Sequence, residues 1–351
     1  MYLLKKIKKT NNRKQIYFCG IKIFSYKRKS KSKHCNFQNT VYGKVYYPYY
    51  NSSFPPSSIE PEIYNKEGKL MRTFFLRDFH MAADKTQESK YFIWDKFNIG
   101  LKTHFYTHQA MLETMGKPTH KYGWLIESEG IVPNDYKLLR KNPNLASEFN
   151  KIFTYSEDLL DKLPNAELLI SCANIWYGNI EGDTARLNSE QYKNKEKMCS
   201  MMCSEKLLTK MHYVRHNIAT QALSLGVDVY GKFNGGMFIP YKSKSLEKYR
   251  YQIVVENDIS PYYFTEKILD CFASQTVPIY LGATKIDKFF NPDGIIFIKQ
   301  EDVNNIEKYL KQISVSDYES RIPALIEIYE KSLIYCLTQD LIYEKIKEDL
   351  K

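Results

Sequence analysis

The chain has 351 residues, 43% of them hydrophobic, 15% aromatic and 26% charged. Those proportions belong to a folded globular protein and exclude a collagen-like, low-complexity or wholly disordered one; the length points to two domains of roughly 150 residues. The net charge of +11 is local, because residues 1–34 hold twelve Lys/Arg and no acid, which leaves residues 35–351 at −1.

Residues 1–36 alternate apolar groups (Tyr2-Leu3-Leu4, Ile16-Tyr17-Phe18) with basic ones (Lys5-Lys6, Lys27-Arg28-Lys29). They read as a basic arm that is either disordered or laid on an anionic membrane surface, where each basic residue contributes about 1 kcal/mol. The apolar run around Ile16–Phe24 is broken by Lys22 and is far shorter than the roughly 18–20 residues a spanning helix needs. It also lacks a small-residue cleavage site, so neither anchor nor signal peptide is expected. Residues 37–66 form a Pro/Ser-punctuated loop region.

Regular patterning starts near 68. Strands are expected at Met71–Leu76, Gly123–Glu127 and Lys151–Tyr155, helices at Tyr106–Met115 and Ser156–Lys162, and a further apolar run at Glu167–Cys172. Residues 182–197 are polar and non-periodic, as a linker would be. The alternation then resumes, with strands at Met198–Cys203, Val227–Tyr230, Tyr251–Val255, Val277–Leu281 and Ile295–Ile298. Helices are expected at His212–Leu225, Thr265–Phe272, Val303–Ile313 and one long segment over 322–350. Strands alternating with helices imply parallel sheets covered on both faces. The expected organisation is an arm over 1–36, an α/β domain over 37–185, a second over 186–321 and a C-terminal helix over 322–351. Two Rossmann-like domains would then face a cleft.

Several chemistries lack support. The seven cysteines are scattered, with no Cys-x-x-Cys pair, which suits a reducing cytoplasm better than a disulfide framework or a zinc knuckle. Cys199 and Cys203 read as small apolar residues of a buried strand. There is no Gly-x-Gly-x-x-Gly and no Walker loop, against a nicotinamide enzyme or an NTPase. Two His-x-x-x-His pairs, His104/His108 and His212/His216, lack the Glu and third ligand of a zinc site, and read as packed or exposed histidines. No Asp-x-Asp occurs, so no essential metal is expected. A nucleic-acid-binding protein is the out-of-class alternative, carried by the arm alone; the neutral remainder shows no stacking or groove-reading motif.

Chemistry concentrates over Tyr251–Gly282. A buried strand ends in Glu256-Asn257, a loop follows, and a helix opens at Thr265, an N-cap residue type, with Glu266-Lys267 in its first turn. Ligands of parallel sheets collect at the carboxyl ends of strands, where Asn257, Tyr263, Glu266 and Lys267 would gather. A helix N-terminus beside Lys267 suits phosphate oxygens, and a carboxylate such as Glu266 suits a ribose diol.

These residues resemble the signature of glycosyltransferase family 10, the GDP-fucose-dependent fucosyltransferases. The match runs from Glu256-Asn257 through Tyr263-Phe264-Thr265-Glu266-Lys267 to Val277-Pro278-Ile279-Tyr280-Leu281-Gly282 and Phe290-Asn291-Pro292. Asp258-Ile259 replaces a Ser/Thr-rich continuation, and Gln275-Thr276 stands where many members carry Gly. The resemblance implies a GT-B-like α/β fold with a long C-terminal helix. It also implies an inverting transfer of fucose, or of a related sugar such as a deoxy-heptose, from a GDP-sugar to a glycan hydroxyl. Lys267 would bind the pyrophosphate, Glu266 the ribose, and Asn257, Tyr263 and Thr265 would complete the nucleotide pocket. Arg215, on the first helix of the second domain, would hold the phosphates and stabilise departing GDP. The general base would be a Glu shortly before Pro133-Asn134; Glu129 matches the family's spacing and Glu127 competes with it. With the basic arm, the expected acceptor is a lipid-linked bacterial surface glycan, met in the cytoplasm at the inner membrane face.

Overall fold

A computed structural model describes residues 62–65, 68–78, 89–113, 115–170, 174–233 and 235–351. Before residue 62 it gives only the backbone of five short strands: an antiparallel trio, Lys5–Lys9, Arg13–Phe18 and Ile21–Lys27, and a hairpin, Phe37–Thr40 with Gly43–Tyr46. The arm was expected as a surface-bound or disordered stretch and 37–66 as loop, so these strands are a departure. The arm's side chains, and with them its expected membrane role, lie outside the described residues.

The first α/β unit is built on strands β1 (Ile63–Tyr64), β2 (Leu70–Arg77), β3 (Phe92–Asp95), β4 (Thr103–Thr107), β5 (His120–Trp124), β6 (Lys151–Thr154) and β7 (Ala166–Leu168). They lie in the order β7-β6-β5-β4-β2-β1, with β3 also on β2; every pairing is parallel except β1 with β2. Three of these strands were not expected: β1, which falls in the expected loop, and β3 and β4. All of β3 and β4 is buried, so neither shows the alternation of a half-exposed strand. The helix expected over Tyr106–Met115 is instead the end of β4 followed by a 3-10 turn, His108–Leu112. Aromatic and β-branched residues at Thr103-His104-Phe105-Tyr106-Thr107 favour the pleated surface, and tertiary burial decides.

The second unit is wholly parallel. Its strands are β8 (Lys197–Met202), β9 (Asp228–Tyr230), β10 (Tyr249–Val255), β11 (Val277–Leu281) and β12 (Ile296–Phe297), in the order β9-β8-β10-β11-β12. Both sheets thus share one doubly wound arrangement, in which the chain leaves the middle in one direction and returns in the other. Such sheets bind ligands at that reversal, outside the carboxyl ends of the strands. In the second unit the reversal lies between β8 and β10.

Each sheet separates two apolar clusters. Phe75, Tyr106 and Leu139 lie on one face of the first sheet and Phe74, Phe105 and Tyr122 on the other. The second has Met201, Ile253 and Ile279 on one face and Val254, Phe272 and Tyr280 on the other.

The chain changes units earlier than the expected linker. Leu169 packs with the first unit while Ile170, Ile175 and Tyr177 pack with the second. Residues 182–197 are fastened down rather than free: Asp183, Ala185, Gln191 and Lys195 are buried. Gln275 holds them, accepting from the Tyr192 N–H (2.9 Å) and donating to the Ser189 carbonyl (2.8 Å). It does so at φ +53, a backbone region that favours glycine.

The expected helix over 322–350 is two helices, Val315–Ser332 and Thr338–Ile346. The first packs on the second unit through Tyr318, Leu325 and Ile328, whereas Ile342 and Ile346 of the next belong to the first unit. One straight rod could not serve both cores, so the chain breaks at 333–337. At that return crossing, Asn174 Oδ1 accepts from the Thr338 N–H (2.7 Å) and hydroxyl (2.8 Å), tying the two passages together. Tyr343 stacks on Tyr91 at 4.4 Å, and the Tyr122 hydroxyl donates to Asp349 at 2.8 Å. Among the described residues no helix is long and apolar enough to cross a membrane.

Ile342 is fully buried. Ile342→Ala should therefore cost about 2–5 kcal/mol in a urea unfolding titration. A loss below ~1 kcal/mol would mean that the returning helix contributes little to holding the first unit.

Candidate functional site

The site is organised by a buried carboxylate. Glu256 directly follows β10, has no exposed surface, and accepts from both the backbone N–H (3.0 Å) and the hydroxyl (2.8 Å) of Thr265. Thr265 in turn caps α1 (Glu266–Ala273), its Oγ1 accepting from the Lys267 N–H at 3.3 Å. Lys267 Nζ folds back over the cap, donating to Thr265 Oγ1 (3.0 Å) and Glu266 Oε1 (3.2 Å), with Glu256 Oε2 at 3.5 Å.

Gly282, at the end of β11, makes room for this. A Cβ there would fall 2.6 Å from Glu256 Cγ and 2.3 Å from Tyr280 Oη. Burial pushes the Lys267 amine down, but Glu266 and Glu256 outweigh it and leave its pKa above the ordinary value. Burial would likewise raise Glu266, yet Lys267 and Lys242 hold it at about 2.

Arg215 approaches from α2 (Lys210–Ser224). Its Nε and Nη2 donate to the Val255 carbonyl (3.0 and 2.6 Å), and Nη2 also reaches Asn257 Oδ1 (2.8 Å). These bonds fix the guanidinium at the carboxyl end of β10 and leave Nη1 without a hydrogen-bond partner among the described residues. Tyr263 is buried, its ring 4.8 Å from Tyr155 of the first unit, so it seals the domain boundary.

Asn257, Tyr263, Thr265, Glu266, Lys267 and Arg215 line one cleft of about 370 Å³. The opposite wall comes from the first unit: Trp124, Ile126, Glu127 and Ile131. Thr338 and Gln339 of the return crossing also line it. A second cavity of about 240 Å³ adjoins it through Trp176, Arg215, Glu266 and Lys267, and reaches the ends of β8 and β10. Trp176 is held rigidly there, because the buried Asp270 accepts its backbone N–H at 2.7 Å and that of Tyr177 at 3.0 Å.

The two base candidates are separated by the structure. Glu127 lies in the cleft wall, half-buried, and among the described residues only its own turn touches the carboxylate: Oε1 accepts from the Ser128 N–H at 3.0 Å. Glu129 is not in the wall. Its carboxylate is held by both terminal nitrogens of Arg140, one at 2.7 Å. The reason is register. The strand expected to run to Glu127 ends at Trp124, and the turn that follows swings Glu129 outward toward Arg140 of the helix Pro133–Lys141.

One supporting residue escaped the sequence reading. His108, fully buried and at φ +50, accepts from the N–H groups of both Ile126 (3.0 Å) and Glu127 (2.9 Å) through Nε2, while Nδ1 lies 3.0 Å from Asp135. It shapes the turn that presents Glu127, and its only sequence signal was the His-x-x-x-His spacing. The other histidines of the two pairs are also engaged. His104 Nδ1 meets the Tyr106 hydroxyl at 2.9 Å, and His216 sits on Phe233 with ring centroids 4.9 Å apart. Cys199 and Cys203 are buried, as expected of core residues.

Residues 192–321 match the model of the Glycosyltransferase family 10 (fucosyltransferase) C-terminal domain. That match covers the second α/β unit, well under half of the chain. Over 78 residues it is 33% identical to an alpha-(1,3)-fucosyltransferase of Helicobacter pylori, covering 22% of this chain and 16% of that protein. It is 29% identical over 100 residues to a 3-galactosyl-N-acetylglucosaminide 4-alpha-L-fucosyltransferase of Bos taurus, covering 27% of each. It is 23% identical over 240 residues to a GDP-fucose protein O-fucosyltransferase 3 of Danio rerio, covering 61% of this chain and 49% of the relative. The matched stretches therefore span half or less of these relatives' length. A crystal structure of an alpha1,3-fucosyltransferase with GDP aligns with a TM-score of 0.44 at 15% identity, over 82% of this chain and 91% of that one. The matched segment begins just before β8 and ends within Val315–Ser332, so it contains Arg215 and the whole Glu256–Gly282 constellation.

Gly282→Ala would drive a methyl group into Glu256 and Tyr280. Overpacking of this kind should lower unfolding free energy by about 1–3 kcal/mol. An unchanged urea midpoint would show that Glu256 has room to move and does not fix the cap.

Proposed function

We propose that the protein transfers fucose, or a closely related sugar, from a GDP-sugar to an acceptor hydroxyl with inversion at the anomeric carbon. The observation that carries this reading is the convergence of opposed chemistry on one cleft. Arg215, Lys267 and the N-terminus of α1 come from the segment that matches family 10, and an uncommitted carboxylate, Glu127, comes from the facing wall. The cleft's size is that of an ordinary small-molecule site.

In this reading the diphosphate lies against Arg215 and Lys267, with the ribose near Glu266. Glu127 accepts the proton of the acceptor hydroxyl as its oxygen bonds to the anomeric carbon. The bond from that carbon to the β-phosphate oxygen breaks on the opposite face. The negative charge gathering on departing GDP is met by Arg215, Lys267 and the helix N-terminus. Arg215 is suited to this because its remaining nitrogen is already aimed by bonds to Val255 and Asn257. The names of the relatives support a fucosyl donor.

Glu127→Gln keeps size and hydrogen bonding but cannot take the proton, so sugar transfer should fall by about 10²–10⁴ while GDP affinity stays put. Glu129→Gln should retain transfer within a few-fold, since that carboxylate is occupied by Arg140. Loss on Glu129→Gln with full activity of Glu127→Gln would reverse the assignment. Lys267→Ala and Arg215→Ala should each lower turnover by on the order of 10². In a thermal-shift panel of GDP, UDP, CMP and dTDP, only GDP should raise the melting temperature by mass action.

The acceptor belongs to the same proposal: a lipid-linked surface glycan met at an anionic membrane face through residues 1–34. What supports it is the concentration of twelve basic residues there. Removing residues 1–34 should abolish sedimentation with anionic vesicles and leave GDP binding intact, and high salt should mimic the loss. Unchanged vesicle binding would sink the membrane role.

A further inference from the structure

His212 lines the cleft beside Arg215 and Lys267, and the reaction outlined above assigns it nothing. It is the third residue of α2, and its ring closes a capping box. The Thr209 hydroxyl accepts from the His212 N–H (3.3 Å), and the Thr209 N–H donates to His212 Nδ1 (3.1 Å). Thr209 is itself anchored, its hydroxyl reaching the Asn257 carbonyl at 3.0 Å.

These bonds decide the tautomer. Nδ1 faces the Thr209 hydroxyl at 2.8 Å as well as the Thr209 N–H; the hydroxyl can turn, but the backbone N–H can only donate, so Nδ1 accepts and in a neutral ring the proton sits on Nε2. Nε2 has no hydrogen-bond partner among the described residues. The ring is also kept neutral, since burial and then the charges of Arg215 and Lys267 push its pKa down to about 4. A fixed N–H donor is thus left at the site where two cations and a helix N-terminus already stand.

We propose that His212 is a third donor to the diphosphate of the bound nucleotide, giving a neutral Nε2–H bond to a phosphate oxygen beside Arg215 and Lys267. This rests on the reading of the cleft as a nucleoside-diphosphate site. A neutral donor adds a directed hydrogen bond without increasing the repulsion between Arg215 and Lys267. The cap that orients the imidazole also begins the helix carrying Arg215, so one local structure sets both phosphate contacts.

The capping box supplies a test that separates fold from ligand, because Glu and Gln are the usual residues at this helix position and either can accept the Thr209 N–H. His212→Gln restores a neutral N–H donor through its amide, whereas His212→Glu offers only acceptors. Both variants should melt within about 2 °C of the parent without ligand. By calorimetry on the full chain, GDP affinity should stay within about 3-fold for His212→Gln and weaken at least 10-fold for His212→Glu. Guanosine, which has no phosphate, should bind all three alike. Parental GDP affinity in both variants overturns the proposal, as does an equal loss in both, or a guanosine loss that parallels the GDP loss. If the parent itself fails to bind GDP, the nucleotide reading of the cleft falls, and this inference goes with it.

Discussion

The buried carboxylate of Glu256 is the constraint on which the candidate site depends. A carboxylate without solvent is costly unless its oxygens are matched by donors and by opposite charge. Here the start of α1 supplies the donors, and Lys267 lies 3.5 Å away. Satisfying that one group fixes where the helix begins, which way its N–H groups point, and where the lysine rests. It also explains why the sequence pattern runs from Glu through Thr-Glu-Lys to a glycine two dozen residues on, since Gly282 vacates the space that Glu256 fills.

The two units reach the cleft by the same route. Both sheets reverse direction between the first and third strands of their parallel order, and both turn carboxyl-terminal loops toward the boundary. What they place there is opposite in kind. The second unit brings cations and helix N-termini, and the first brings a carboxylate whose turn is held by a buried imidazole. The contact between Gly130 and Asp258, with a donated N–H at 3.2 Å, joins the two loop sets directly. Rings of Tyr155 and Tyr263 close the boundary beneath it.

The second unit was largely legible in the sequence because its punctuation is chemical. Thr265 caps, Gly231 and Gly282 end strands, and Val277–Leu281 is bounded by turn residues, so most strand and helix limits fell within a residue or two, although the helix expected over Val303–Ile313 shrank to Glu307–Leu310. The first unit hid its centre. Phe92–Asp95 and Thr103–Thr107 are buried on both faces and have no period to read. The apolar spacing of Leu333-Ile334-Tyr335 continues a helical pattern through a real break, because it carries no sign that Tyr335 and Ile342 serve different cores. The proposed base is Glu127 rather than Glu129 for a related reason: a strand ending three residues early turns Glu129 toward Arg140 and leaves Glu127 in the cleft wall. His212 and His108 appeared only as a spacing, since a capping box and a backbone acceptor depend on neighbours far along the chain.

Asn174 gives the molecule a mechanical character. The polypeptide passes between the units twice, and the two passages are stitched at one point by the bonds from Thr338 to a single amide oxygen. Because Asn174 and Thr338 also line the cleft, the stitch lies along the cleft itself. Relative rotation of the units that keeps this stitch intact must pivot there. Such a pivot would leave the lining beside Thr338 nearly stationary. A ligand seated near such a pivot would feel the least of any rotation between the units.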